Sequence, residues 1–291
     1  MKKIFNDLIS IWNFIPEFFI LMVKYIKLYK RRGRIIPSQL LSSDCVIVGN
    51  GPSLKKDFEN LKSLKEKVFF VVNHFADSEL YEFVKPAFYC FLDPYFWSDM
   101  ASVEAKEKRN KTFNNIVEKT KWPIDIYIPC YAKENVFSIL SNNKNINLIT
   151  YNALNTVHVP IIIEKLYFSC GLFAPCANNV ILHSLYIAIR KGFKKIYLYG
   201  VDTSMHESLI VDQESNTVYA EYSHFYGTTK ILQNESGLRN KSLTIAECLQ
   251  KETDIFRTYE ALGRYSNYCG CKILNCSSYS LIDCFERLKC K

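Results

Sequence analysis

Short apolar, β-branched runs recur along the chain, and each ends in a glycine or polar turn. Cys45–Gly49, Val68–Val72, Ala87–Leu92, Ile124–Pro129, Asn147–Thr150, Lys195–Gly200 and Lys272–Asn275 have the length and composition of buried strands. Between them lie stretches with helical spacing. Leu54, Phe58, Leu61 and Leu64 recur on one face of a helix over Leu54–Lys65. Leu182–Arg190 is apolar and stops at Gly192, and helix resumes over Glu252–Tyr268. Strands that alternate with helices predict an α/β fold with a doubly wound, mostly parallel sheet. In such sheets ligands bind outside the carboxyl ends of the strands. Asn50, Asn73, His74, Asp93 and Asp202 all fall just past strand ends.

Two regions break the alternation. Residues 202–250 are polar and irregular, and the segment at about 203–250 is expected to be a lid. Residues 4–30 are dense in apolar and aromatic side chains, interrupted by Asp7, Asn13, Pro16, Glu17, Lys24 and Lys27. Their uncharged runs are short for a span of about 20 residues. No small-residue cleavage site follows them, as a signal peptide would need. A basic cluster does follow, which fits an amphipathic helix lying in a membrane interface. The expected division is 1–43 for this helix and a linker, and 44–291 for the catalytic domain.

Charge sharpens that division. The 291 residues carry a formal +8, yet Lys2, Lys3, Lys24, Lys27, Lys30, Arg31, Arg32 and Arg34 stand against only Asp7 and Glu17 in the first 35. The remainder is nearly balanced, which argues against a nucleic-acid groove across the main domain. The 11 cysteines contain no C-x-x-C pair, so reduced, buried thiols are expected and no metal site.

The stretch that organises the chain is Gly49-Asn50-Gly51-Pro52-Ser53. It follows the first strand, with Ser53 at a helix N-cap position. Open backbone N–H groups and the helix dipole there would suit a phosphate. It lacks the third glycine of a dinucleotide fingerprint and the Gly-Lys of a Walker loop. Asn50 and Ser53 offer neutral hydrogen bonds to a nucleotide. Five histidines are present: His74, His158, His183, His206 and His224. His183 belongs to an apolar helix, while His74, His206 and His224 are candidate general bases. Asp93 could orient a sugar hydroxyl, serve as a base or hold a metal, although no D-x-D pair supports a required cation, and Asp202 is a brace for its turn or a donor contact. Tyr197 and Tyr199 share one face of their strand.

Four motifs occur in order: Gly49 to Leu54, Asn73-His74-Phe75, Gly192 to Asp202, and Ser223-His224-Phe225-Tyr226. Lys272 to Cys276 and Ser280-Leu281-Ile282 follow. Together they resemble bacterial sialyltransferases of the Campylobacter type, glycosyltransferase family 42. They equally resemble the DUF115 group, which includes motility-associated flagellin glycosyltransferases and archaeal hydroxymethylpterin pyrophosphokinases. The resemblance implies a Rossmann-like, GT-A-like domain with a lid, a nucleotide-sugar donor, inversion, and no metal or other cofactor. It places Asn50 and Asn73 on the nucleotide, Tyr197 on the donor phosphate, and His224 as the base. It adds Asn178, Asn179 and Tyr226 to the donor-binding set. An Asn of the sialyltransferases is replaced by Asp93, which would repel a donor carboxylate. The donor is therefore expected to be either a CMP-nonulosonate or a neutral UDP-sugar.

The resulting expectation is a glycosyltransferase acting on a bacterial surface glycan or glycolipid such as lipopolysaccharide, O-antigen or capsule. It would be cytoplasmic, attached to the inner face of the cell membrane through residues 4–34, without nucleic-acid partners and with room for homo-oligomers. The alternatives are an ATP-dependent pyrophosphokinase of the DUF115 type and a non-catalytic adaptor at the membrane.

Overall fold

The apolar runs pair side by side. In a computed structural model of the protein the helices are α1 (Lys2–Lys27), α2 (Leu54–Lys62), α3 (Leu80–Val84), α4 (Val103–Lys119), α5 (Ile161–Ser169), α6 (Val180–Arg190) and α7 (Ile245–Tyr268). The strands are β1 (Asp44–Val48), β2 (Val68–Val72), β3 (Phe88–Cys90), β4 (Ile124–Pro129), β5 (Ile146–Tyr151), β6 (Lys195–Tyr199), β7 (Leu209–Val211), β8 (Val218–His224), β9 (Gly227–Leu232), β10 (Lys272–Asn275) and β11 (Glu286–Arg287). The structure describes residues 2–27, 44–64, 67–99, 101–132, 134–154, 159–177, 179–224, 227–233 and 242–288, except the side chains of 2–4, 6–7, 62, 134, 222–224 and 227–231.

Eight strands form one sheet in the order β11-β10-β6-β1-β2-β3-β4-β5, and every pairing in it is parallel. The expected α/β fold is therefore present. A parallel sheet is covered on both faces, so its strands read as near-continuous apolar runs. Alternation within β1 shows the two faces. Cys45 and Ile47 join the core built with α5, α6 and α7, whereas Val46 and Val48 join the core built with α2, α3 and α4. β1 lies between β2 and β6, and strand order reverses there. The carboxyl ends of these three strands frame the ligand crevice of a doubly wound sheet.

Two expectations need correction. The stretch expected to be irregular contains a three-stranded antiparallel sheet, β7-β8-β9, whose register pairs Leu209 with Ala220 and Tyr219 with Leu232. Among its described side chains Val218 and Ala220 face inward, and Leu243 and Cys248 pack with Val218. α4 was not expected either. Only Thr112, Phe113 and Ile116 of its 17 residues are buried, which leaves a weak apolar signal. Its start is fixed by Ser102, whose side chain accepts the Ala105 N–H.

α1 lies against the domain along one seam. Phe14 and Leu21 are buried in the α5–α6–α7 core, and the Phe14 and Phe18 rings meet those of Tyr167 and Phe173. The expected linker with Pro37 falls outside the described residues.

Candidate active site

The turn after β1 is tied to the turn after β6. Gly49 N–H donates to the Tyr199 carbonyl at 2.8 Å, and Gly51 N–H to the Gly200 carbonyl at 2.9 Å. A Cβ at Gly49 would come within 2.3 Å of the Gly200 oxygen, so the two turns touch through bare backbone. These N–H groups are engaged within the protein, contrary to the open cradle expected from sequence.

The N-terminus of α2 is also occupied. Ser53 makes no side-chain cap bond of its own. The Asp202 carboxylate accepts its N–H at 3.0 Å and its hydroxyl at 2.5 Å. A carboxylate thus fills the position where the dipole of α2 would hold an anion. Burial pushes the Asp202 carboxyl up, and the Ser53 hydrogen bonds oppose that shift. Asp57, one turn further on, accepts the Ser278 N–H at 3.1 Å. Pro52 is exposed at the outer corner of the turn.

Asn50 and Asn73 leave acceptors free. The register that pairs Val48 with Val71 puts these residues level with one another past β1 and β2. Asn50 Nδ2 donates to the Val72 carbonyl at 3.2 Å, which orients its carboxamide. Its Oδ1 and the Oδ1 of Asn73 are buried without a hydrogen-bond partner. Asn73 adopts a left-handed backbone, φ 48°, and its carbonyl accepts the Tyr89 hydroxyl. Asparagine tolerates that conformation better than most side chains.

Past Asn73 stands a chain of polar groups that crosses three elements. The buried His74 ring meets Thr112 Oγ1 of α4 through Nδ1, at 2.6 Å, and the Tyr95 hydroxyl through Nε2. Thr112 Oγ1 donates to Asp77 Oδ2 at 2.9 Å, and Asn115 Nδ2 donates to Asp77 Oδ1 at 2.8 Å. Against burial, which raises it, the nearby His74 ring and hydrogen bonds from Asn115 and Thr112 hold the Asp77 carboxyl below its usual range. An ionised Asp77 is the strongest acceptor near the Thr112 hydroxyl. Thr112 must then accept from His74 Nδ1–H, which leaves Nε2 as a lone-pair acceptor facing Tyr95. Burial lowers the His74 pKa, and the Asp77 carboxylate pulls it the other way. Burial thus favours the neutral ring, with its Nε2 lone pair facing the Tyr95 hydroxyl.

Asp93 stands at the start of this arm. Its carboxylate accepts the Tyr95 N–H at 3.3 Å and caps the short turn Pro94–Phe96. It keeps solvent contact, yet surrounding protein pushes its carboxyl up against the pull of that N–H. Tyr95, Asp77 and Thr112 were not singled out from sequence. The only local signal was the i, i+3 spacing of His74 and Asp77. Tyr95 and Thr112 reach the histidine from a loop and a helix far along the chain.

Other expected site residues lie elsewhere. The Tyr197 hydroxyl is 3.5 Å from Asp44 Oδ2 at the start of β1, and Lys67 Nζ lies 5.8 Å from its ring centre. This is the amino edge of the sheet, opposite the crevice, so Tyr197 does not reach a donor phosphate there. Asn179 is on the carboxyl edge, where its Oδ1 caps α6 by accepting the Ile181 N–H at 2.9 Å. His206 follows β6 and stands 3.8 Å from buried Glu252, whose carboxyl is raised by burial. His183 is buried in α6 with Nδ1 at 2.8 Å from the Tyr151 hydroxyl, and burial lowers its pKa to about 3. His224 ends β8 opposite Gly227, and its side chain is outside the described residues, as are Asn178, Tyr226 and His158.

The family described as "MptE-like: 6-hydroxymethylpterin diphosphokinase MptE-like" matches residues 22–208. The chain belongs to the MptE-like family. The matched span of this MptE-like chain includes Asn50, Asn73, His74, Asp77, Tyr95, Thr112 and Asp202, and ends before β7. It agrees with the DUF115 side of the resemblance. Among solved structures, the sialyltransferase CstII from Campylobacter jejuni, in complex with a substrate analogue, cytidine-5′-monophosphate, is similar at 16% identity and a TM-score of 0.43, over 87% of this chain and 86% of that one. No curated protein matches the MptE-like chain.

Proposed function

We propose that the protein is a nucleotide-dependent transferase that moves a sugar from a nucleotide-sugar to a hydroxyl of a bacterial surface glycan or glycolipid. One observation carries this reading: the free, buried oxygens of Asn50 and Asn73 stand level at adjacent strand ends. Buried polar groups are nearly always hydrogen-bonded, so two free acceptors at a ligand-binding edge call for donors from a ligand. A nucleoside supplies them through its base N–H groups or ribose hydroxyls, and a fully ionised phosphate has none to offer. The Asp202 carboxylate at α2 keeps the phosphates away from that helix end.

In this reading the acceptor hydroxyl gives its proton to the Tyr95 oxygen as the Tyr95 proton passes to His74 Nε2. The imidazolium that forms is stabilised by Asp77. The acceptor oxygen attacks the anomeric carbon, the bond from that carbon to the phosphate oxygen breaks, and the nucleotide leaves with the electron pair. Configuration inverts, and no metal is required. Asp93 lies next to Tyr95 and favours a neutral sugar on UDP, while a carboxyl that is protonated more readily also admits a CMP-nonulosonate.

The test compares Tyr95→Phe, His74→Gln and His224→Ala for turnover and nucleotide affinity. Loss of about 100-fold or more in kcat for the first two, with nucleotide affinity retained, supports the relay. Abolished turnover in His224→Ala, with Tyr95→Phe unimpaired, transfers the role to the β8–β9 hairpin.

The family description favours a second reading, pyrophosphate transfer from ATP to a pterin alcohol. It requires Mg²⁺, whereas the sugar reading does not. A thermal-shift screen with CMP, UDP, GDP and ATP, with and without EDTA, separates them, since a bound ligand stabilises the fold by its occupancy.

A further inference from the structure

α1 carries two apolar stripes. The first, Phe14, Phe18, Leu21 and Tyr25, faces the domain: Phe14 and Leu21 are buried, and the Phe18 and Tyr25 rings lie about 6 Å from Phe173. The second, Leu8, Trp12, Ile15, Phe19, Val23 and Ile26, follows the same three-and-four spacing on the outer surface. Trp12 is 75% exposed and Phe19 66%. A helix that needs only one apolar face to dock has no use for the second in water.

The adjoining helix also exposes apolar side chains. Phe14 packs on Tyr167 of α5, and from α5 itself Ile161, Ile162 and Leu166 are exposed. Leu166 is 73% exposed, one residue before the tyrosine that holds α1. Two neighbouring elements, α1 and α5, thus each expose apolar side chains.

Charge identifies the occupant. The last turn of α1 carries Lys24 and Lys27, and Lys30, Arg31, Arg32 and Arg34 follow in sequence. A second copy that docked with its α1 parallel to this one would bring two such clusters together. A partner of opposite charge and apolar interior removes that conflict. We propose that the outer stripe of α1 and the exposed aliphatic side chains of α5 form one surface that lies in the interface of an anionic lipid bilayer. The inner stripe holds α1 on the protein, so the helix lies along the membrane and does not cross it. This inference does not depend on the reaction that the crevice performs.

Vesicle flotation of the full chain tests it. The probes are phosphatidylcholine vesicles alone and with about 30% phosphatidylglycerol. The protein should float with the anionic vesicles, and about 0.5 M salt should weaken binding by screening. Trp12→Ser with Phe19→Ser should lower partitioning about tenfold, with the thermal midpoint unchanged because both side chains are exposed. Leu166→Ser should lower it by a smaller factor, and Lys24→Glu with Lys27→Glu should weaken binding to the anionic vesicles and reduce its salt dependence. Failure to float, or flotation that the apolar substitutions leave unchanged, overturns the proposal. So does retention in the membrane after alkaline extraction, which would mean a crossing helix. A salt-stable dimer that Trp12→Ser with Phe19→Ser converts to monomer, without vesicle binding, assigns the surface to a second copy.

Discussion

Asp202 and Ser53 are 149 residues apart in the chain, and two hydrogen bonds join them at the centre of the sheet's carboxyl edge. The contact fastens β6 to α2 and closes the turn after β1. Asp202→Ala would leave the buried N–H and hydroxyl of Ser53 without their acceptor. The expected loss is about 1–3 kcal/mol, measured by urea denaturation. Ser53→Ala removes only one of the two bonds and should cost less. A variant Asp202→Ala as stable as the parent would show that this brace does not hold the crevice.

Backbone contact makes Gly49 the least replaceable residue of the turn. Its Cβ would meet the Gly200 oxygen at 2.3 Å, and main chain cannot swing aside as a side chain can. Gly49→Ala is expected to separate β1 from β6 locally and cost about 3 kcal/mol or more, seen as a large drop in thermal midpoint. Gly51→Ala meets the Asp202 carboxylate at 2.4 Å and the same Gly200 oxygen at 2.7 Å, so it should also loosen the Ser53 contact.

Asn50→Ala should weaken nucleotide binding with little effect on the fold. The substitution removes one free acceptor and one bond to Val72. A single neutral hydrogen bond corresponds to about 2- to 10-fold in affinity, measured by calorimetry with CMP and UDP. Asn50→Asp should be worse, since a carboxylate loses the donor to Val72 and repels the nucleotide phosphates. Unchanged affinity in both variants would remove Asn50 from the site.

Acid stability offers a test apart from function. His183 has a folded pKa of about 3, held down by burial, against an ordinary value of 6.5. Below 6.5 the unfolded chain binds a proton that the folded chain refuses, so stability falls with pH through the window from 6.5 to about 3. From pH 7 to about pH 5 this residue should account for about 2 kcal/mol of lost stability. His183→Gln should flatten that part of the profile, whatever its effect at neutral pH. A slope identical to the parent would mean that the ring is protonated in the fold.

Much of the sheet could be read from sequence because buried parallel strands are apolar on both faces. β4 and β10 have the expected limits, and Asn50, Asn73, His74 and Asp93 fall past strand ends as their sequence positions required. The partners of those side chains were not readable. Thr112 sits in a helix whose polar surface masked it, and Tyr95 reaches His74 only once β2, β3 and α4 are assembled. Period two placed Tyr197 and Tyr199 on one face, but the hydroxyl of Tyr197 leans towards Asp44 at the far edge. The β7–β9 sheet was hidden because its inward positions include small alanine as well as valine.

The place of β1 between β2 and β6 has a consequence for synthesis. β2 emerges directly after β1, but β6 begins at Lys195, more than half the chain later. While β2 to β5 are being made, β1 keeps one open edge of unpaired N–H and carbonyl groups. The Asn50–Asn73 half of the crevice can assemble early, whereas its other wall and the carboxylate at α2 arrive only with Asp202. A chain released before that point would present a bare apolar strand, the kind of edge on which nascent proteins aggregate. Completion of the crevice and protection from aggregation therefore arrive together, with the same few residues.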